Sequence, residues 1–132
     1  VSAMSEPQIV VEPTKVIETP PETLIKPVAQ EPVPTCASEI AKYDWDYQTA
    51  YNVMYAESTA REWIVNNNPD TQDYSVGCFQ INLYGNNALT RPSEAELQNP
   101  VVNVEFAYRL YAENKHSFIG QWGVCRSKVQ CY

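Results

Sequence analysis

The chain has 132 residues and a net charge of −7, with four Cys, one His and ten Pro. Its basic residues form no cluster, which argues against nucleic acid or an anionic membrane as the partner. No apolar run is long enough to predict a signal peptide or a membrane span. The length corresponds to about one domain on the usual scale of ~100–200 residues per domain.

Composition divides the chain into two parts. Residues 1–35 contain most of the prolines and neither an aromatic residue nor a glycine. Frequent proline blocks helix interiors and central strands, and the segment has little apolar surface to bury. We therefore predict a disordered Pro-rich linker over residues 1–35 and a folded domain over residues 36–132. A spacer of this kind before a domain that contains cysteines leads us to expect an export signal or an anchor upstream of Val1.

All four cysteines, Cys36, Cys78, Cys125 and Cys131, lie in the predicted domain. Their spacing lacks C-x-x-C, and His116 is the only histidine, so we expect no metal site. An even number of cysteines in a small domain favours disulfides in an oxidising, extracytoplasmic compartment. Of the three possible connectivities, we predict Cys36 with Cys131, which would close the ends of the domain, and Cys78 with Cys125.

The first predicted elements are two helices. Residues 37–43 predict a short helix, and residues 44–64 predict a longer one with Asp44 or Asp46 as its N-cap. The longer helix carries a stripe at helical spacing that includes one acid: Tyr47, Ala50, Val53, Met54, Glu57 and Ile64. Residues 65–75 are rich in Asn, Asp and Ser around a Pro, and we predict turns there.

The second half of the domain predicts a small β element followed by a helix. Residues 78–84 predict a short strand or an irregular segment, and Ser93 with Glu96 forms a capping box. A helix over residues 100–115 begins with Pro and has a predicted buried row: Val102, Phe106 and Leu110. Residues 118–125 predict a turn that carries Trp122. The expected fold class is mainly helical, α+β, with a small β element between the second helix and the capping box.

Glu57 is the first candidate for chemistry, because it occupies a position of the apolar stripe. Burial disfavours the charged form of a carboxyl group and so raises its pKa. A carboxylic acid that remains protonated near neutral pH can protonate the leaving oxygen of a glycosidic bond. The alternative is a Glu at the edge of the stripe that extends to solvent.

A second candidate is the run from residue 75 to residue 82, "SVGCFQIN". Gly77 permits close approach of a ligand or of the backbone. If the run is extended, Gln80 and Asn82 point to the same face and offer amide groups to a polar ligand. The aromatic residues nearby suit sugar rings, with ordinary core packing as the alternative.

Together these features resemble a known superfamily. The order "AES" in a helix, "S-x-G-x-x-Q-x-N", a helix with "N-x-x-x-A-x-x-L-Y" and a late Trp is similar to the lysozyme-like superfamily. Within it, the pattern most resembles soluble lytic transglycosylases and transglycosylase-like lysozymes, over about residues 37–125. The resemblance implies a monomer that cleaves the β-1,4 bond between N-acetylmuramic acid and N-acetylglucosamine in peptidoglycan, with no cofactor and no membrane contact.

The resemblance also implies roles for individual residues. Glu57 would be the general acid, and Ser75 would position the acid or the sugar. Gln80 and Asn82 would line the glycan groove next to Gly77. Tyr111, on the later helix, would extend toward the acid.

Two departures from the family pattern bear on the product. Cys78 follows Gly77 directly, where the family usually has an apolar residue. Animal-type lysozymes have an Asp where Ser75 stands, so a second carboxylate is missing from that position. This favours a transglycosylase that forms a 1,6-anhydro ring. The alternatives are hydrolysis, with Asp73 or Asp70 positioning water, and an inactive glycan-binding module.

Overall fold

The structure is a computed structural model that describes residues 32–126 and residue 131. The predicted linker over residues 1–35 lies outside the described residues, except for its last four positions. By their contacts, Pro34–Tyr132 form one unit. In the described part of the chain, none of the helices has the length and apolarity needed to cross a membrane.

Over the described residues, the domain consists of four helices and a small antiparallel sheet. The helices are α1 (Cys36–Ile40), α2 (Tyr47–Ser58), α3 (Glu94–Leu97) and α4 (Pro100–Glu113). The strands are β1 (Val65–Asn68), β2 (Asp73–Val76) and β3 (Ile81–Asn82), in the order β1-β2-β3. Single 3-10 turns lie at Pro69–Thr71, Gly85–Leu89 and Gly123–Arg126. The fold is therefore mixed α+β. The sheet lies in the chain between α2 and the capping box, where the sequence predicts a small β element.

Helix α2 begins as predicted but ends earlier. The carboxylate of Asp46 accepts hydrogen bonds from the backbone N–H of Thr49 at 2.9 Å and from its hydroxyl at 2.8 Å. This confirms Asp46 as the N-cap. The predicted continuation to residue 64 is wrong, because Thr59 and Ala60 have left-handed backbone angles, with φ of 52° and 65°. A left-handed residue ends the helix and redirects the chain toward β1.

The predicted turn over residues 65–75 is wrong in its outer parts. Strand β1 pairs with β2 in antiparallel register, from Val65 opposite Val76 to Asn68 opposite Asp73. Only the stretch Pro69–Thr71 forms a turn. Pairing with a neighbouring strand overrides the local preference of Asn for turns, because β propensity depends strongly on context.

The capping box at α3 is confirmed in both directions. The hydroxyl of Ser93 accepts from the backbone N–H of Glu96 at 3.2 Å, and the Glu96 carboxylate accepts from the backbone N–H of Ser93 at 2.8 Å. Hydrogen bonds to the Glu96 carboxylate from the backbone N–H and then from the hydroxyl of Ser93 hold the pKa of Glu96 below its ordinary value. Pro100 at the first turn of α4 is also confirmed.

The predicted buried row of α4 is partly wrong. Phe106 is buried, but Val102 and Leu110 are only half-buried. The face that α4 buries is rotated from the predicted one and includes Asn103 and Ala107, both without exposed surface. An apolar pattern does not predict a buried Asn, and hydrogen bonds to distant backbone groups keep it there.

The core is built from aliphatic residues of α2 and from an aromatic cluster. Ala50, Val53 and Met54 of α2 are fully buried as predicted, whereas Tyr47 is exposed. The rings of the cluster lie within 4.6–5.6 Å of a neighbour, and their members are Trp45, Phe79, Tyr111, Phe118 and Trp122. Helix α1 packs against both α2 and α4.

Two disulfides are present, but their predicted pairing is wrong. Cys36 pairs with Cys78, with Cα atoms 6.2 Å apart, and Cys125 pairs with Cys131, with Cα atoms 5.6 Å apart. The packing of α1 brings Cys36 next to the loop after β2, and Cys131 lies only six residues after its partner. The disulfides indicate an extracellular or otherwise oxidising compartment.

Candidate active site

One cleft of about 400 Å³ brings together five residues that the sequence had singled out. They are Glu57, Asp73, Ser75, Gln80 and Asn82. Residues 121–124, which include Trp122, form the rest of its lining. The end of α2, strand β2 and the segment that leads into β3 thus meet at a single surface.

Glu57 is the penultimate residue of α2 and is half-buried. The next residue, Ser58, is fully buried, and its hydroxyl donates to the carbonyl of Cys78 at 2.8 Å. The same hydroxyl accepts from the backbone N–H of Ala60 at 3.1 Å. Ser58 therefore ties the end of α2 to the loop after β2. This bond fixes the backbone that carries Glu57 at the cleft.

Gly77 is part of the support behind the cleft and not of its lining. Its φ is +74°, and a Cβ atom there would lie 2.4 Å from Nδ2 of Asn103 and 2.4 Å from the carbonyl oxygen of Leu97. The absence of a side chain permits the close approach of Asn103, not of a ligand. The sequence had predicted close approach at this position, and the structure supplies the group that approaches.

Asn103 is a central support that sequence reasoning placed only loosely. Its Nδ2 donates to the carbonyls of Val76 and Leu97, each at 2.8 Å, and its Oδ1 accepts from the backbone N–H of Phe79 at 2.9 Å. The sequence signal was the Asn of "N-x-x-x-A-x-x-L-Y". Two of these three partners, Phe79 and Val76, lie 24 and 27 residues away in the loop after β2 and in β2, so no local pattern predicts them.

Gln80 and Asn82 line the cleft, but not as an extended run. Gln80 has a left-handed backbone with φ of 51°, so the run is not extended there and the condition for a shared strand face is not met. The Gln80 amide accepts from Nδ2 of Asn66 at 2.6 Å and donates to the carbonyl of Gly77 at 3.0 Å. These bonds hold the turn between β2 and β3.

Asn82 is tied to the sheet in a similar way. Its Oδ1 accepts from the backbone N–H groups of Tyr74 at 3.0 Å and Tyr84 at 2.9 Å. Its Nδ2 donates to the carbonyl of Gln72 at 3.1 Å. The amide that the sequence assigned to sugar binding therefore serves mainly to hold the β2–β3 hairpin together.

Asp73 and Ser75 lie two residues apart in β2 and point to the same face of the strand. The buried hydroxyl of Ser75 donates to Oδ1 of Asp73. This bond orients the Asp73 carboxylate in the cleft that also contains Glu57. Asp70, the other predicted water-positioning acid, lies instead in the exposed turn Pro69–Thr71.

Tyr111 lies in the aromatic cluster and not at the cleft, contrary to its predicted place near the acid. Its ring centroid is 4.6 Å from that of Phe118 and 5.5 Å from those of Trp45 and His116. Burial raises the pKa of its phenol, and the nearby charges of Asp44 and Asp46 raise it further. Tyr111 thus supports the core behind the site.

Sequence reasoning missed the far side of the cleft. Gln121 and Val124 line it together with Trp122, whose indole N–H donates to the carbonyl of Phe79 at 2.8 Å. In the sequence, only Trp122, the late Trp of the lysozyme-like pattern, pointed to this segment. Among residues 32–126 and 131, the His, Cys, Asp and Glu side chains form no group of three or more suited to a metal ion.

Comparisons with protein-family models, with curated proteins and with solved structures each found no match. The resemblance to the lysozyme-like superfamily therefore rests on the sequence motifs quoted above alone.

Proposed function

We propose that residues 36–132 form a lysozyme-like domain that acts outside the cytoplasm as a peptidoglycan lytic transglycosylase. The observation that carries the proposal is the shared cleft: Glu57 of the "AES" motif and the polar residues of "S-x-G-x-x-Q-x-N" line the same cavity. Its volume of about 400 Å³ lies within the range of ligand clefts. The two disulfides agree with a secreted, periplasmic or cell-surface location.

The proposed first step is proton donation by Glu57. The Glu57 carboxyl gives its proton to the glycosidic oxygen, and the bond between this oxygen and C1 of N-acetylmuramic acid breaks. The N-acetylglucosamine side leaves with a new hydroxyl group. The carbonyl oxygen of the substrate's own acetamido group bonds to C1 and stabilises the positive charge that develops there.

The second step uses Glu57 as a base. The carboxylate accepts the proton of the C6 hydroxyl of the same muramic residue while the C6 oxygen bonds to C1. The acetamido oxygen leaves C1 in this step, and a 1,6-anhydro ring results. Glu57 recovers its proton and is ready for another cycle. Ser58 contributes by holding the end of α2, and with it Glu57, against the carbonyl of Cys78.

One observation favours hydrolysis as a second candidate. Asp73 lines the cleft together with Glu57, and Ser75 orients its carboxylate. In an inverting mechanism Asp73 would accept a proton from the water that attacks C1, with carboxyl groups about 6.5–9.5 Å apart. Of the two acids proposed from the sequence, Asp73 is the better candidate, because Asp70 lies in an exposed turn.

The test is mass spectrometry of muropeptides released from purified peptidoglycan. We expect Glu57→Gln to reduce release by about 100-fold or more, the contribution of a general acid, while the protein remains folded. Glu105→Gln, an exposed change on α4, is the matched control and should retain full release. Full release by Glu57→Gln would refute the assignment of the acid.

The products of the wild-type protein and of Asp73→Asn separate the alternatives. Anhydro ends that persist in Asp73→Asn support the transglycosylase. Reducing ends that disappear in Asp73→Asn support the hydrolase. Glycan binding by the wild-type protein without any release would indicate the binding module.

A further inference from the structure

A smaller cavity of about 200 Å³ adjoins the cleft. The two share four lining residues, and these are Gln80, Asn82, Gln121 and Trp122. Glu57 lines only the larger cavity, and Arg91 lines only the smaller one. The two cavities therefore form one groove with a carboxylic acid toward one end and a guanidinium toward the other.

Arg91 is held in a fixed orientation. One of its terminal nitrogens donates to the carbonyl of Asn82 at 2.8 Å, and its guanidinium lies 5.6 Å from the centre of the Phe106 ring. A guanidinium has five N–H donors, so this single hydrogen bond leaves most of them for other partners. The side chain is half-buried, and the backbone bond and the ring fix its plane.

The charge of Arg91 has no carboxylate partner within the described residues. Ion pairs there join Lys42 to Glu39 and Arg109 to Glu113. Burial lowers the pKa of the Arg91 guanidinium, although an arginine remains protonated in proteins. A partly desolvated cation without an anion is costly unless a ligand supplies one.

The side-chain amides that line the smaller cavity with Arg91 are of two kinds. Gln80 and Asn82 are committed to the hairpin through the bonds described above. The side chains of Asn87 and Gln121, which also line the smaller cavity, make no hydrogen bond within the described residues. Their donors and acceptors face a cavity and are available to a polar ligand.

We propose that Arg91, with Asn87 and Gln121, forms a subsite for a carboxylate of the peptidoglycan strand. This inference rests on the proposed function. Of the two alternating sugars, only N-acetylmuramic acid carries a lactyl carboxylate or, where that group is amidated, a peptide with carboxylates of its own. A planar guanidinium binds a carboxylate through two parallel hydrogen bonds.

The subsite would set the register of the glycan. The larger cavity is lined by the acids Glu57 and Asp73, which do not attract an anionic group. Arg91 would attract the carboxylate of a muramic residue and so determine which of the two kinds of glycosidic bond lies at Glu57. A neutral chain of N-acetylglucosamine lacks this anchor.

The test measures binding by NMR titration in the Glu57→Gln variant, so that cleavage does not interfere. The probes are chitobiose in its neutral N,N′-diacetyl form, the disaccharide of N-acetylglucosamine and N-acetylmuramic acid, and that disaccharide with a dipeptide on its lactyl group. We expect Arg91→Gln to weaken binding of an acidic disaccharide by about tenfold or more, the scale of a charge-assisted hydrogen bond. Binding of chitobiose should change by less than about twofold. If Arg91→Gln weakens binding only of the disaccharide with a free lactyl group, the lactyl carboxylate is the ligand of Arg91. If it weakens binding only of the disaccharide with the dipeptide, a carboxylate of the peptide is the ligand.

Arg109→Gln is the matched control. Arg109 also lies over the Phe106 ring, at 5.5 Å, but it pairs with Glu113 outside the groove. All three affinities should be unchanged in this variant.

The subsite would be overturned if Arg91→Gln weakened binding of the neutral and acidic disaccharides equally. It would also be overturned if the protein with Arg91 intact bound the neutral and acidic disaccharides with equal affinity. If Arg91→Gln does not fold, the subsite requires two other results. Asn87→Ala must weaken binding of the acidic disaccharides more than binding of the neutral one. Added NaCl must have the same selective effect on the Glu57→Gln protein with Arg91 intact. Failure of the proposed function is a separate outcome, because it is seen as a lack of muropeptide release by the wild-type protein.

Discussion

The two walls of the cleft are built differently. The inner wall consists of the end of α2 and residues 73–82, and it carries Glu57. It is held by links between distant parts of the chain: Ser58 to Cys78, Asn103 to Val76, and the disulfide Cys36–Cys78. The outer wall consists of residues 121–124. It is held by the bond from Trp122 to Phe79 and is followed by the local disulfide Cys125–Cys131.

The two walls also differ in whether their polar side chains already have hydrogen-bond partners. In the inner wall, the Asn82 amide bonds to backbone groups. The Gln80 amide bonds to the Asn66 side chain and to the Gly77 carbonyl. In the outer wall, the Gln121 amide makes no hydrogen bond within the described residues. The inner wall therefore fixes the acid, and we expect the outer wall and the Arg91 end to carry more of the ligand contacts.

The largest expected effect is on the inner wall, from Gly77→Ala. A Cβ atom would clash with Asn103 and with the carbonyl of Leu97 at a φ of +74°. We expect a loss of more than about 4 kcal/mol in the free energy of unfolding, measured with urea, because clash and strain combine. Gly85→Ala is the control, since Gly85 also has a positive φ but has nothing within 4 Å. It should lose only about 1–2 kcal/mol, and equal losses would show that close approach at Gly77 is unimportant.

The two disulfides give the next contrast. Replacing Cys36 and Cys78 with Ala opens a loop with a sequence separation of 42, and replacing Cys125 and Cys131 opens one of 6. Loop entropy predicts losses of about 4 and about 2 kcal/mol. The second variant should retain most of its muropeptide release, because the links of the inner wall remain. If the variant without Cys125–Cys131 lost more muropeptide release than the variant without Cys36–Cys78, the outer wall and not the inner wall would position Glu57.

A smaller effect is expected from Ser58→Ala. This change removes the donor to the buried carbonyl of Cys78, and an unsatisfied buried group costs about 1–3 kcal/mol. Release of muropeptides should fall as well, since the bond holds the end of α2 that carries Glu57. Tyr55→Phe, which removes an exposed hydroxyl from the same helix, should alter stability by less than about 0.5 kcal/mol. Unchanged release in a folded Ser58→Ala protein would contradict the positioning role.

The smallest effect concerns pH and the start of α2, away from the cleft. Hydrogen bonds from Thr49 hold the pKa of Asp46 below its ordinary value of 3.8. The resulting stability is fully present above the pKa of the unfolded chain and is lost as the pH falls through the lower pKa of the folded state. Asp46→Asn keeps a good N-cap but does not titrate, so its melting temperature should fall less steeply between about pH 5 and pH 2. Asp70→Asn, in an exposed turn, should leave the slope of the wild-type protein unchanged.

The sequence by itself determined the local features of the fold. The N-cap Asp46, the capping box of Ser93 and Glu96, and Pro100 at the start of α4 are all confirmed. These features depend on groups within about four residues of one another, and therefore their signal is contained in a short stretch of sequence. Of the candidate site residues, Gly77 and Tyr111 do not line the cleft, whereas Glu57, Asp73, Ser75, Gln80 and Asn82 do.

Only the tertiary structure decided how these residues are used. It paired Cys36 with Cys78, ended α2 at Ser58, placed Tyr111 in the core and committed the amides of Gln80 and Asn82 to the hairpin. It also showed that Gly77 makes room for Asn103. Each of these outcomes depends on groups brought together from distant positions, such as the 27 residues between Val76 and Asn103. Local periodicity and turn preferences carry no information about such contacts, because packing and hydrogen bonding between elements determine which contacts form.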